Sequence, residues 1–201
     1  MAGDTLVVLV GELLADPTVH RSIDRVVSHV NHRHHASIRS AFVGTHGTEF
    51  IGILRDAHAV PEIVQDLLGD PFRLAVSRGT LTTPIRPVAL GSDGPALHAA
   101  RALLSGTLKG REGVAFAGFG DDDVVLDGIA DLLVHHWTHL ESSQRQILAA
   151  LRDRDTARKD VAARLGISPQ ALSNRAQSAG WREFNAGLAA WRTLLERHGE
   201  S

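Results

Sequence analysis

Lys159-Asp-Val-Ala-Ala-Arg-Leu-Gly166-Ile-Ser168-Pro169-Gln-Ala-Leu-Ser-Asn-Arg175 reads as a helix, a tight turn and a second helix. Val161, Ala162 and Leu165 fall on one helical stripe. Gly166 can take the left-handed conformation that ends a helix. Ser168 is a good N-cap, and Pro169 suits the first helical position, where a missing N–H has no partner to lose. Leu172 and Ala176 then face inward. Gln170, Ala171, Ser173, Asn174 and Arg175 stay on the outer face, with Lys159 on the preceding helix. Such side chains can read base edges or hold phosphates. Any αα-corner needs a glycine and a cap. The turn length, the Ser-Pro start and the flanking helical patterns together point to a helix-turn-helix over about 157–179, with double-stranded DNA as partner.

The rest of the chain bounds this reading. It has 201 residues, 43% hydrophobic, enough for one large or two small cores. It has no cysteine, which excludes disulfides and thiolate chemistry. No apolar run reaches the roughly 18 residues of a membrane span. Leu6–Val10 is too short for a signal sequence and lacks a basic region before it, so a cytoplasmic protein is expected. Net charge is −2, unevenly spread. Residues 141–201 hold ten Lys/Arg against seven Asp/Glu, and residues 1–140 eleven against sixteen. The basic excess sits with the helix-turn-helix, but it is modest for a non-specific DNA binder.

Upstream, Leu6–Val10 fits a central strand. Val19, Ile23, Val26, Val27 and Val30 recur at helical spacing across 18–31. Ser37–Val43 and Thr48–Leu54 form a hairpin around Gly44-Thr-His-Gly47. Val60 to Leu68 is a second helix, Phe72–Ser77 a strand, and Leu81–Val88 an extended piece or loop. Asp93 is expected to cap a helix running to about Leu108, and Gly113–Gly118 is a last strand. The first six elements give the ferredoxin-like βαββαβ pattern. The expected class is α+β: such a domain over 1–120, then an all-α domain over 121–201. Gly118-Phe-Gly-Asp-Asp-Asp123 marks the boundary as a linker and helix cap. Val125, Ile129, Leu132, Leu133 and Trp137 are read as one stripe on a connecting or dimerising helix. The aromatic last helix, with Trp181, Phe184 and Trp191, is read as core or dimer packing.

Four stretches resemble the SatD family and, through it, the palm domain of nucleotidyl cyclases and GGDEF proteins. They are Val7-Val-Leu-Val-Gly11-Glu12-Leu-Leu-Ala-Asp16, Thr45-His-Gly47-Thr48-Glu49-Phe50-Ile-Gly52, Phe72-Arg-Leu-Ala-Val-Ser-Arg-Gly79, and Gly91-Ser-Asp93-Gly94-Pro95-Ala96 with Ala100-Arg101. The resemblance spans about residues 4–108, and family members often carry a C-terminal helix-turn-helix. It implies a palm in which carboxylates at the end of the first strand and on the neighbouring hairpin hold two divalent metals on a nucleoside triphosphate. In a βαββαβ sheet those positions are Glu12 beside Thr48 and Glu49. Here the usual Gly-Asp is Gly11-Glu12, and the usual Gly-Asp-Glu-Phe is Gly47-Thr48-Glu49-Phe50. A threonine cannot supply the charge a metal pair needs. The resemblance therefore implies a pseudo-enzyme with no catalytic residue and no metal. Its candidate ligand residues are Glu12, His46, Gly47, Thr48, Glu49, Asp93, Gly94 and Arg101, and a nucleotide with Mg²⁺ is the ligand it suggests.

His29, His32, His34 and His35 form a dense cluster, and His135-His136 a second. Neither has the Cys or carboxylate company of a zinc site in sequence, and cations at a helix end are ordinary. No Ser-His-Asp order, P-loop or GxGxxG occurs. Three readings result: a homodimeric DNA-binding transcription regulator with a degenerate cyclase-like domain, a divergent metal-dependent nucleotidyl transferase using Glu12 and Glu49, and a structural adaptor whose tail binds protein.

Overall fold

The computed structural model describes residues 5–14, 23–152 and 156–199. It is a mixed α+β structure that divides into two units. The first runs to Asp131 and includes the chain again from Trp191, and the second is Leu132–Ala190. Composition changes at 118–123, whereas the contacts divide later. Two continuous helices, α4 (Asp122–His139) and α8 (Trp181–Glu196), carry the chain from one unit to the other. No described helix is long and apolar enough to cross a membrane.

In the first unit, strands β1 (Leu6–Leu13), β2 (Ile38–Gly44), β3 (Glu49–Leu54), β4 (Phe72–Gly79) and β5 (Gly113–Ala117) form one sheet in the order β2-β3-β1-β4-β5. All neighbours are antiparallel except β4 and β5. A parallel pair needs a crossover, and α3 (Pro95–Ser105) supplies it. The central place of β1 follows from its near-continuous apolar run, which is buried on both faces from Leu6 to Gly11. Leu6, Val8 and Val10 alternate to one face, where Ile51, Ile53 and Ala75 join Leu97, Ala100 and Leu104 of α3 in one core. Val7, Leu9 and Leu13 are buried on the other face. There a Cβ on Gly11 would overlap the Phe50 ring, and one on Gly52 the Phe42 ring, so two glycines make room for two aromatics.

The outer edge of β2 is covered rather than open. A register shift between Ser40 and Val43 turns the peptide groups of Ala41 and Phe42 outward. Ala41 N–H donates to Pro87 O at 2.8 Å, and Ala89 N–H donates to Ala41 O at 3.0 Å. The Asn31 amide, on α1 (Ile23–Arg33), donates to Phe42 O at 2.9 Å and accepts from Phe42 N at 2.8 Å. These contacts remove the exposed ladder that makes an edge strand prone to pair with another chain.

Several boundaries differ from the sequence reading. Helix α1 is described from Ile23 to Arg33, and residues 15–22, including Val19 and Asp16, lie outside the described part. Asp93 does not cap α3: Gly94 is the N-cap, and the Asp93 carboxylate accepts its N–H at 2.8 Å from one residue earlier. The helix ends at Ser105, before Leu108. The stripe on α4 is shifted by one residue. Leu126, Ala130, Leu133, Val134 and Trp137 are buried, whereas Val125 is 50% and Leu132 73% exposed. Apolar residues make up half of this helix, so period alone leaves the phase open. The small Ala130, rather than Ile129, takes the close-packed place. Asp121-Asp-Asp123 also does more than link. The Asp123 carboxylate accepts the Phe119 N–H at 2.8 Å, and Asp122 pairs with His198 at 2.9 Å.

The second unit is helical. Helices α5 (Ser142–Leu151), α6 (Arg158–Arg164) and α7 (Pro169–Ser178) close around Ile147, Leu151, Val161, Ala162, Leu172 and Ala176. Trp181 and Ile167 pack against this core. Elsewhere in the unit, Trp137 and Phe184 meet at 6.0 Å.

Candidate functional site

The turn between α6 and α7 is built from local chemistry. Gly166 has φ +66°, the left-handed conformation that lets Ile167 N–H reach back to Ala162 O at 3.0 Å. Ser168 is extended and its hydroxyl accepts the Ala171 N–H at 3.1 Å. Pro169 follows at the first helical position. With Leu172 and Ala176 buried, the opposite side of α7 is fixed. Gln170, Ser173, Asn174 and Arg175 are exposed there, Ala171 is half-buried, and Ser168 and Lys159 are exposed. Gln177 extends the row, since positions 170, 173, 174 and 177 share one helical face. Gln170 Nε2 donates to Asn174 Oδ1 at 3.1 Å, so two of the candidate base readers hold each other. The surface is polar, and its amide, hydroxyl and guanidinium groups offer both hydrogen-bond donors and acceptors.

Sequence reasoning missed a cleft of about 350 Å³ beside this row, bordered by Arg158, Ser173, Gln177, Trp181, Arg182 and Glu183. Arg158 and Arg182 lie just outside the quoted motif, and only the packing of α8 against α7 shows that they share a cleft. The Glu183 carboxyl is held below its ordinary value, first by its own backbone N–H and then by Arg182.

The candidate ligand residues of the first unit do not form one site. Glu12 and Glu49 are directly paired across β1 and β3, and Leu13 N–H donates to Thr48 O at 3.1 Å. The hairpin tip carries His46 and Gly47, both exposed, and His46 O accepts the Glu49 N–H at 3.0 Å. Arg101 of α3 reaches Glu49 at 3.7 Å. Asp93 and Gly94 lie at the other end of the sheet. Ala96 N–H bonds Thr80 O just after Gly79, which pairs with Leu6, six strand positions from Glu12. That separates them by roughly 20 Å.

The acids at this rim are already matched. Arg73 sits opposite Glu12 in register and pairs with it, while Glu49 accepts from Thr45 Oγ1 at 2.7 Å and faces Arg101. Two carboxylates with two guanidiniums carry no net charge. A pair of divalent cations needs the reverse, so these residues do not fit the two-metal centre of a palm. Among the described residues, no cluster of three His, Asp or Glu is arranged to hold a metal ion.

Two other groupings were invisible in sequence. Asp66, buried on α2 (Val60–Leu67), draws in His34 at 2.8 Å, Arg33 at 3.2 Å and His29 at 3.4 Å. Ser37, His58 and Asp56 fall into a line after all, with Ser37 Oγ 3.2 Å from His58 Nε2 and Asp56 on the other ring nitrogen. The line lies on the turn after β3, where Arg55 N–H also bonds Ser37 O at 2.9 Å, and it fastens that turn to the start of β2.

A family model described as the SatD family matches residues 7–187. A solved structure that resembles this chain is a regulator of polyketide synthase expression from Bifidobacterium adolescentis. It is 14% identical, with 98% of this chain and 80% of that chain covered, at a TM-score of 0.28. No curated protein matches the chain.

Proposed function

The chain belongs to the SatD family, and on that premise we propose that it is a DNA-binding transcription regulator. Helices α6 and α7 act as a helix-turn-helix, with α7 as the recognition helix. The observation that carries this reading is the row Gln170, Ser173, Asn174 and Gln177, exposed on a helix whose opposite side is pinned in a core. Gln170 and Asn174 have the donor–acceptor pairs that match adenine, and Arg175 suits guanine or phosphate. The first unit is a ferredoxin-like, cyclase-like domain that has lost catalysis and serves to bind a nucleotide or to dimerise. The order β2-β3-β1-β4 supports that reading of the sheet. The neutralised rim of Glu12, Arg73, Glu49 and Arg101 supports the loss of catalysis.

An electrophoretic shift on genomic DNA fragments tests the regulator reading. Gln170→Ala and Asn174→Ala should each weaken specific binding by about 1–3 kcal/mol with the fold intact. A double variant that shifts its DNA as well as the wild type does would remove α7 from the role. The second reading, a divergent nucleotidyl transferase, draws on the direct pairing of Glu12 with Glu49.

A further inference from the structure

We infer that the cleft between α7 and the start of α8 is the seat of a DNA backbone phosphate, gripped by Arg158 and Arg182. The inference rests on the regulator reading and extends it from base recognition to the source of affinity. The cleft borders the far half of the polar row: Ser173 and Gln177 belong to both. A duplex lying along that row therefore carries its sugar-phosphate strand over the cleft. Arg158 enters from α6 and Arg182 from α8, so two guanidiniums from different elements converge on one opening. Trp181 packs on the small core and fixes the wall from which Arg182 extends. Planar guanidiniums suit phosphate because their N–H forks match two oxygens at once.

Arg182 is held in readiness by a weak partner. Its Nε and one terminal nitrogen both contact the same Glu183 oxygen, at 3.1 and 3.0 Å. The pair is open to water, with the two side chains 92% and 62% exposed, and such pairs contribute little. A phosphate can displace the carboxylate and take both N–H groups on separate oxygens. Glu183, charged and at the cleft wall, then opposes the incoming anion. It limits non-specific binding, as the modest basic excess of residues 141–201 also does.

The test uses the full chain and a short fluorescein-labelled duplex of random sequence, with binding followed by anisotropy between about 50 and 200 mM salt. Each neutralised phosphate contributes about 0.9 to the slope of log K against log salt. Arg158→Ala and Arg182→Ala should each lower the slope by roughly that amount and weaken all sequences alike, while Arg→Lys at either position keeps the slope. Glu183→Gln should tighten binding. An unchanged slope in the alanine variants, or equal loss in the lysine variants, overturns the cleft. If Gln170→Ala and Asn174→Ala still abolish discrimination on a recovered genomic fragment, the regulator reading outlives it. Wild-type protein that binds no duplex overturns both.

Discussion

Asp127 accepts the Phe116 N–H at 2.7 Å from a half-buried position on α4. Burial pushes its carboxyl above the ordinary 3.8, against the pull of that hydrogen bond, and Asp131 and Asp123 push it further. The folded chain therefore holds this proton more tightly than the unfolded chain. Asp127's contribution is fully present below 3.8 and is lost as pH rises through the raised value. Asn keeps the oxygen acceptor without the charge. Asp127→Asn should be at least as stable as wild type at pH 7, its advantage shrinking toward pH 4 in urea denaturation. An equal loss at both pH values would show that the charge is not at issue. At this scale the sequence was least legible. The histidines near His34 looked like solvated helix-end cations because their partner, Asp66, is 32 residues away. The arginines that neutralise Glu12 and Glu49 were equally hidden, since only strand register and the path of α3 bring Arg73 and Arg101 to the same rim.

Elements fixed by neighbouring residues were the readable ones. The α6–α7 turn needs only Gly166, Ser168 and Pro169, all within four positions, and each behaves as its chemistry dictates. Ser168→Ala leaves the Ala171 N–H without its acceptor. It should lower stability by about 1 kcal/mol, read by thermal unfolding, with Ser168→Asp close to wild type. A cap that proved silent would mean that the core of Ile147, Leu151 and Leu172 alone holds α7. The strands were legible from short apolar runs and the turn residues between them, and α4 as a helix, but not its phase, because three-dimensional packing decides which of several apolar faces is covered. The cover over β2 was not legible either: Asn31 and Pro87–Ala89 come from distant chain, and a register shift leaves no mark in composition.

For the molecule as a whole, the matched charges at the sheet rim set an expectation about activity. Offered a nucleoside triphosphate with Mg²⁺ or Mn²⁺, the protein should release no pyrophosphate. Turnover that vanishes in Glu12→Gln or Glu49→Gln would reverse that view and restore the transferase reading. The exposed Val124, Val125 and Leu132 on α4 set another: apolar side chains 79%, 50% and 73% open are what a second copy would cover. Sedimentation should give about twice 21.6 kDa, and Leu132→Asp should return the monomer. A clean wild-type monomer at micromolar concentration would leave that face without its partner. The path of the chain has a consequence for how the molecule can be taken apart. Trp191, fully buried, stacks edge-on against Phe116 at 5.7 Å, and Arg192 pairs with Glu62 of α2. The sheet unit thus claims the chain's last helical turns, and helices α5 to α7 lie in the segment between Leu132 and Ala190. Cutting at the composition change would strip a tryptophan from the fragment meant to survive. Excision of the helical segment with Asp131 rejoined to Trp191 through a flexible bridge, or a circular permutation opened inside the segment, respects the architecture where simple truncation does not.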